Sequence, residues 1–155
     1  MTRGLYIGTI IVILIVIIIT LIIIVKNKRK KRIENALNKL EKEKNLLINV
    51  PVLNELSKVE ALVKNNAKLE EKYNNWKTKF AIIENETIPL VNDMLIDASF
   101  AADKSKPIDI YKKITEIEIK LYEIKTKVKN ILSEIKEITS SEERNRATVI
   151  KLKAI

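Results

Sequence analysis

The side chains that could do chemistry in this sequence are carboxylates, lysines, serines and a few aromatics, and what surrounds them restricts that chemistry. There is no cysteine and no histidine, which excludes disulfide staples, thiolate nucleophiles, Cys/His metal sites and imidazole general bases. Both glycines, Gly4 and Gly8, lie near the N-terminus, so no glycine-rich phosphate loop can form later in the chain. The carboxylates, lysines and serines fall on the outward faces of helical patterns, and no spacing pairs two of them for acid–base work. The expectation is a protein that is not an enzyme and needs no cofactor and no metal.

Three clusters remain. Lys26, Lys28, Arg29, Lys30, Lys31 and Arg32 place six bases within seven residues and suit anionic lipid headgroups. With Arg3 they account for most of the net charge of +9, so the excess is local and weak evidence for nucleic-acid binding. No nucleic-acid partner is expected. Tyr73, Trp76 and Phe80 could stack bases or a ligand, but their helical spacing on one face fits a core. Ser140-Ser141-Glu142-Glu143 matches a capping box, the start of a further helix. The competing reading is that the preceding helix runs straight through, and the residues leave both open.

The elements that position these clusters are helices. Leu5 to Val25 is uncharged and 17 of its 21 residues are Leu, Ile or Val. At 1.5 Å per residue it spans about 30 Å, a hydrocarbon core's thickness. Its insertion is favourable by on the order of 5–10 kcal/mol. A cleaved signal peptide would carry its bases before a shorter apolar run and end in small residues, and neither holds here. The six bases after the run, against Arg3 before it, put the C-terminal side in the cytosol. Residues 1–4 would lie outside, 5–25 across the plasma membrane, 26–49 in a basic juxtamembrane helix, and 50–155 in a cytosolic helical region.

That region repeats apolar residues at alternating spacings of three and four. Ile33, Leu37, Leu40 and Leu47 keep a heptad register if Lys44 fills the missing place, and Asn49-Val50-Pro51 interrupts it. A second stripe is Val52, Leu53, Leu56, Val59, Leu62 and Val63, ending near Asn65-Asn66. A third helix, 67–102, has the seam Leu69, Tyr73, Trp76, Phe80, Ile83, Thr87, Leu90 and Met94, with Pro89 set to kink or break it. After the turn 103–107, a nine-residue seam from Ile110 to Ile138 holds an unbroken 4-3 alternation. Glu116–Lys120 and Glu123–Lys127 are spaced as favourable pairs on its exposed sides. The fold class expected is all-α: a single N-terminal transmembrane helix, then a coiled-coil-like bundle. Such helices bury a seam by folding back on one another or by pairing with a second chain, as in a homodimer.

Several phrases resemble the septation ring formation regulator EzrA family. They are Val50-Pro51-Val52-Leu53-Asn54-Glu55-Leu56-Ser57-Lys58-Val59, Trp76-Lys77 with Phe80, Ile88-Pro89-Leu90-Val91 with Leu95 to Ala98 and Ala102-Asp103-Lys104, and Ser141-Glu142-Glu143-Arg144-Asn145-Arg146. The resemblance implies spectrin-like antiparallel helices behind a membrane anchor at the division septum. It also implies contact with the tubulin-like protein FtsZ and other division proteins, limiting where division rings assemble. Ser141 to Arg146 is the candidate partner patch, against the plainer reading of a helix cap with a solvated face. Family members are several times longer, so the chain would correspond to an N-terminal quarter. The rival is a stalk similar to the ATP synthase peripheral stalk subunit b, which expects one nearly unbroken helix with an 11-residue period. A periplasmic tether would need the opposite orientation.

Overall fold

In the computed structural model, residues 2–48, 52–64, 66–102, 104 and 107–153 are described. They form α1 (Thr2–Ile48), α2 (Val52–Val63), α3 (Ala67–Ile82), a five-residue π turn (Ile83–Thr87), α4 (Ile88–Ala101) and α5 (Pro107–Lys153), with no strand among the described residues. The fold class is all-α, as composition requires of a chain almost without glycine. Residues 49–51, 65, 103, 105 and 106, where the sequence places its breaks, lie outside the described residues.

The helices form an up-down-up bundle of three columns. The far half of α1 continues in α2 as the first column, α3 with α4 returns as the second, and α5 is the third. Lys44 bonds Asn92 while Ala102 shares a groove with Lys30 and Ile33, which sets α4 antiparallel to α1. Trp76 meets Glu134 and Asp97 meets Lys113, which sets the second column antiparallel to α5 along its whole length. The seams are therefore buried within one chain, by folding back.

Burial follows the heptads closely. Ile33, Leu37, Leu40, Lys44, Val52, Leu56 and Val59 are buried in the first column, and every α5 seam residue from Ile110 to Ile135 is buried, with Ile138 half-buried. Lys44 fills its heptad place by reaching Asn92, its Nζ donating to Oδ1 at 2.7 Å. A buried polar group needs such a partner. Leu53, expected on the α2 stripe, is 60% exposed, because Val52 and Leu56 already occupy the inward face on either side of it. Lys120 pairs with Glu123 at 3.2 Å.

The second column departs from expectation at one place, and for a reason. Leu69, Trp76, Phe80 and Ile83 are buried as expected, but the seam resumes at Val91, Leu95 and Ala98 rather than at Leu90 and Met94. Leu90 is 49% exposed. The π turn is the cause: Ile88 N–H bonds Ile83 O, five residues back, so the turn holds one more residue than an α turn. The inward face advances by one position across it. Pro89 lies just after this turn, where its missing N–H would otherwise break the ladder. The Thr87 hydroxyl donates to Ile82 O at 3.4 Å across the same turn.

Two helix boundaries bear on the candidate patches. Asn66 starts α3 as an N-cap, its Oδ1 accepting from Leu69 N–H at 3.2 Å. No new helix begins at Ser140. α5 runs through it, and Ser141 Oγ donates back to Ile138 O at 2.9 Å instead of capping forward.

Candidate membrane anchor and interaction surfaces

The apolar part of α1 lies outside the bundle core. Every described side chain from Tyr6 to Val25 is exposed, and an 18-residue window of this helix has a mean hydropathy of 3.5. A helix that is apolar all round belongs in a core or in lipid. This one is in no core, and it is long and apolar enough to cross a membrane. Within the apolar run, Thr9 Oγ1 donates to Tyr6 O at 2.9 Å and Thr20 Oγ1 to Val16 O at 2.7 Å. Lipid offers no other partner for them.

The helix does not end where the apolar run ends. It continues through Lys26, Lys28, Arg29, Lys30, Lys31 and Arg32 to Ile33, Leu37 and Leu40, which are core residues of the bundle. The six bases thus occupy almost two turns of regular helix, about 9 Å of its axis. At 100° per residue they surround the helix rather than mark one face of it. Arg29 is half-buried and the other five are exposed. Lys30 borders a shallow groove with Ile33, Glu34, Leu37, Asn38, Ser99 and Ala102.

The other candidate patch sits at the opposite end of the bundle. Ser141 and the half-buried Glu142 reach the α2–α3 corner, beside Asn66, Lys68, Leu69 and Lys72. Glu143, Arg144, Asn145 and Arg146 lie beyond it on an exposed part of α5. Arg144 Nε donates to Ser140 O at 3.2 Å, within its own helix. The structure therefore splits the patch: two residues join the bundle's end and four stand on a solvated helix.

Trp76 and Phe80 are core residues and Tyr73 is half-buried against them. The Trp76 indole N–H donates to Glu134 Oε2 at 2.6 Å. Neither Glu134 nor Asn92 was singled out from sequence, because a polar partner one column away leaves no mark in heptad spacing. A concavity of about 750 Å³ is an open groove between α1 and α5 lined by Leu47, Leu121, Val128 and Leu132. Lys39, Lys125, Lys129 and Lys136 rim it, with Glu43 and Glu118. Among the described residues no three acidic groups gather as metal ligands would.

No curated protein and no solved structure matches the chain. The model of one protein family does, over residues 9–155, and its description is septation ring formation regulator, EzrA. That match takes in the apolar helix, the basic turns and all three columns of the bundle. The chain belongs to the EzrA family of septation ring formation regulators.

Proposed function

We propose that this protein is a membrane-anchored regulator of bacterial cell division that contacts FtsZ and negatively modulates septation ring formation, without catalysing a reaction. In this reading residues 1–4 are outside, 5–25 cross the plasma membrane, 26–49 form the basic juxtamembrane helix and 50–155 belong to the cytosolic region. The observation that carries it is the continuity of α1, which leads from the apolar segment into the bundle core without a break. A bundle joined to its anchor by regular helix stays in a thin shell beside the bilayer and raises the effective concentration of whatever it binds there. The bases Lys26 to Arg32 hold that junction against anionic headgroups and orient it by the excess of positive charge on one flank.

Ser141, Glu142, Glu143, Arg144, Asn145 and Arg146 are the proposed partner patch. Its exposed position at the end farthest from the anchor supports this role. A homodimer would need surfaces other than the heptad seams, which one chain already fills. A plain stalk similar to ATP synthase subunit b fits less well, since α3 folds back against α2 and α4 against α1 and α5.

Flotation tests the proposal. Full-length protein in vesicles containing phosphatidylglycerol should carry FtsZ polymers upward and shorten them by electron microscopy. Replacing Arg144 and Arg146 by glutamate should reduce the FtsZ recovered at least severalfold. FtsZ left at the bottom of the gradient with unchanged polymer length would contradict it.

A further inference from the structure

The two most exposed large apolar side chains among the described residues flank one corner of the bundle: Ile108 at 76% and Phe100 at 75%. Single exposed apolar residues are ordinary on protein surfaces. The position of these two is not, because the α4–α5 corner is at the end of the bundle nearest the apolar helix. Ala102, at the end of α4, lines one groove with Lys30 and Ile33, which are five and eight residues past Val25. Along α1 that is about 8–12 Å beyond the apolar run. A headgroup layer extends roughly 5–8 Å beyond the hydrocarbon on each side. The chain leaves α4 heading towards the bilayer and enters α5 heading away, so the corner between them comes within reach of that layer.

The chemistry of the corner suits it. Side chains on a helix lean towards its N-terminus, so the exposed Ile108, Tyr111 and Lys112 of α5 lean towards the bilayer. Tyrosine, with an apolar ring and a polar tip, favours the membrane interface. Lys104 is exposed in the corner itself, and with Lys112 it outweighs Asp109. Asp103 and Lys106 cancel each other. Phe100 is on α4, whose side chains lean the other way, and is left out of the contact.

We propose that the α4–α5 corner is a second membrane-contact site, in which Ile108 and Tyr111 enter the headgroup layer of an anionic bilayer and Lys104 and Lys112 face its phosphates. The proposal rests on α1 being inserted in lipid. A helix fixed only at its transmembrane segment is free to rotate about its axis. One fixed also at the corner holds the bundle at a set tilt and presents the same face to the cytosol.

Because the chain has no cysteine, single labelling sites are clean. An environment-sensitive fluorophore is attached at Ile17→Cys, Lys104→Cys or Tyr122→Cys of the full-length protein, in phosphatidylglycerol vesicles carrying nitroxide lipids. Tyr122 is equally exposed but about 21 Å farther along α5 than Ile108. Headgroup nitroxide should quench the label at 104 severalfold more than at 122, and acyl-chain nitroxide should quench the label at 17. Adding Ile108→Asp and Tyr111→Asp should return the label at 104 to the level at 122. Equal quenching at 104 and 122, with 17 quenched, overturns the corner contact and leaves the anchor standing. Strong quenching at 104 that survives the double substitution shows nearness without contact and also overturns it. No quenching at 17 removes the anchor, and the corner proposal with it.

Discussion

Trp76 shows how single residues hold the columns together. It is 1% exposed, packs in the core, and hands its one polar atom to Glu134 on α5. Trp76→Ala should cost about 3–5 kcal/mol through the cavity it leaves. Glu134→Ala should cost about 1–3 kcal/mol, because the buried indole N–H loses its acceptor. Glu134→Gln keeps an acceptor and should fall well short of that loss in urea titrations followed by Trp76 fluorescence, which reports on a single tryptophan. An unchanged midpoint for Glu134→Ala would show that the bond is dispensable. Lys113 shows a weaker tie. Its hydrogen bond to the Asp97 carboxylate, and then the charge of that carboxylate, raise its pKa above the ordinary lysine value. A raised lysine pKa means that the pair's contribution is complete below about pH 10 and is lost as pH climbs through the raised value. The pair is at the surface, so salt should weaken it. Asp97→Asn should return the Lys113 titration, followed by NMR, to the ordinary lysine range.

At the scale of elements, the π turn decides which residues the second column buries. Deleting Glu84 together with Pro89→Ala should convert it to an ordinary α turn while keeping Val91, Leu95 and Ala98 inward. The thermal midpoint should then move little. Deleting Glu123 from α5 instead rotates Ile124, Val128, Ile131 and Ile135 out of the seam by about 100°, and should unfold the bundle's distal half. If both deletions are equally harmful by circular dichroism, the turn is not the register device inferred here. This element also shows what was legible in the sequence. The α5 seam reads correctly over nine residues because nothing interrupts its 3.5-residue period. The first column reads correctly except at Leu53, and Lys44 is included because a heptad leaves a place that something must fill. Pro89 announces a disturbance, but heptad counting carries straight through it and so names Leu90 and Met94 one residue early. Spacing leaves Ser140 to Glu143 open between a cap and a helix that runs through, and packing of Ile135 and Ile138 carries α5 through. Of the two candidate surfaces, the basic turns were plain from charge alone. The cross-column partners Asn92 and Glu134 were not, since their role depends on which columns become neighbours.

At the scale of the whole molecule, α1 is one helix with two solvents. About half of its length is apolar on every side and lies outside the bundle core, and the remainder is a column of the bundle. Most of the functional reading depends on that continuity: any movement of the anchor is passed to the bundle through regular helix rather than absorbed by a linker. The account therefore requires that α1 cross the bilayer with its basic flank inside. The cysteine-free chain allows a direct measurement, labelling intact cells with a membrane-impermeant maleimide after Thr2→Cys or Lys136→Cys substitution. Position 2 should be labelled in intact cells and position 136 only after lysis. Labelling of position 136 in intact cells, with position 2 protected, would reverse the topology and remove the proposed contact with a cytosolic partner.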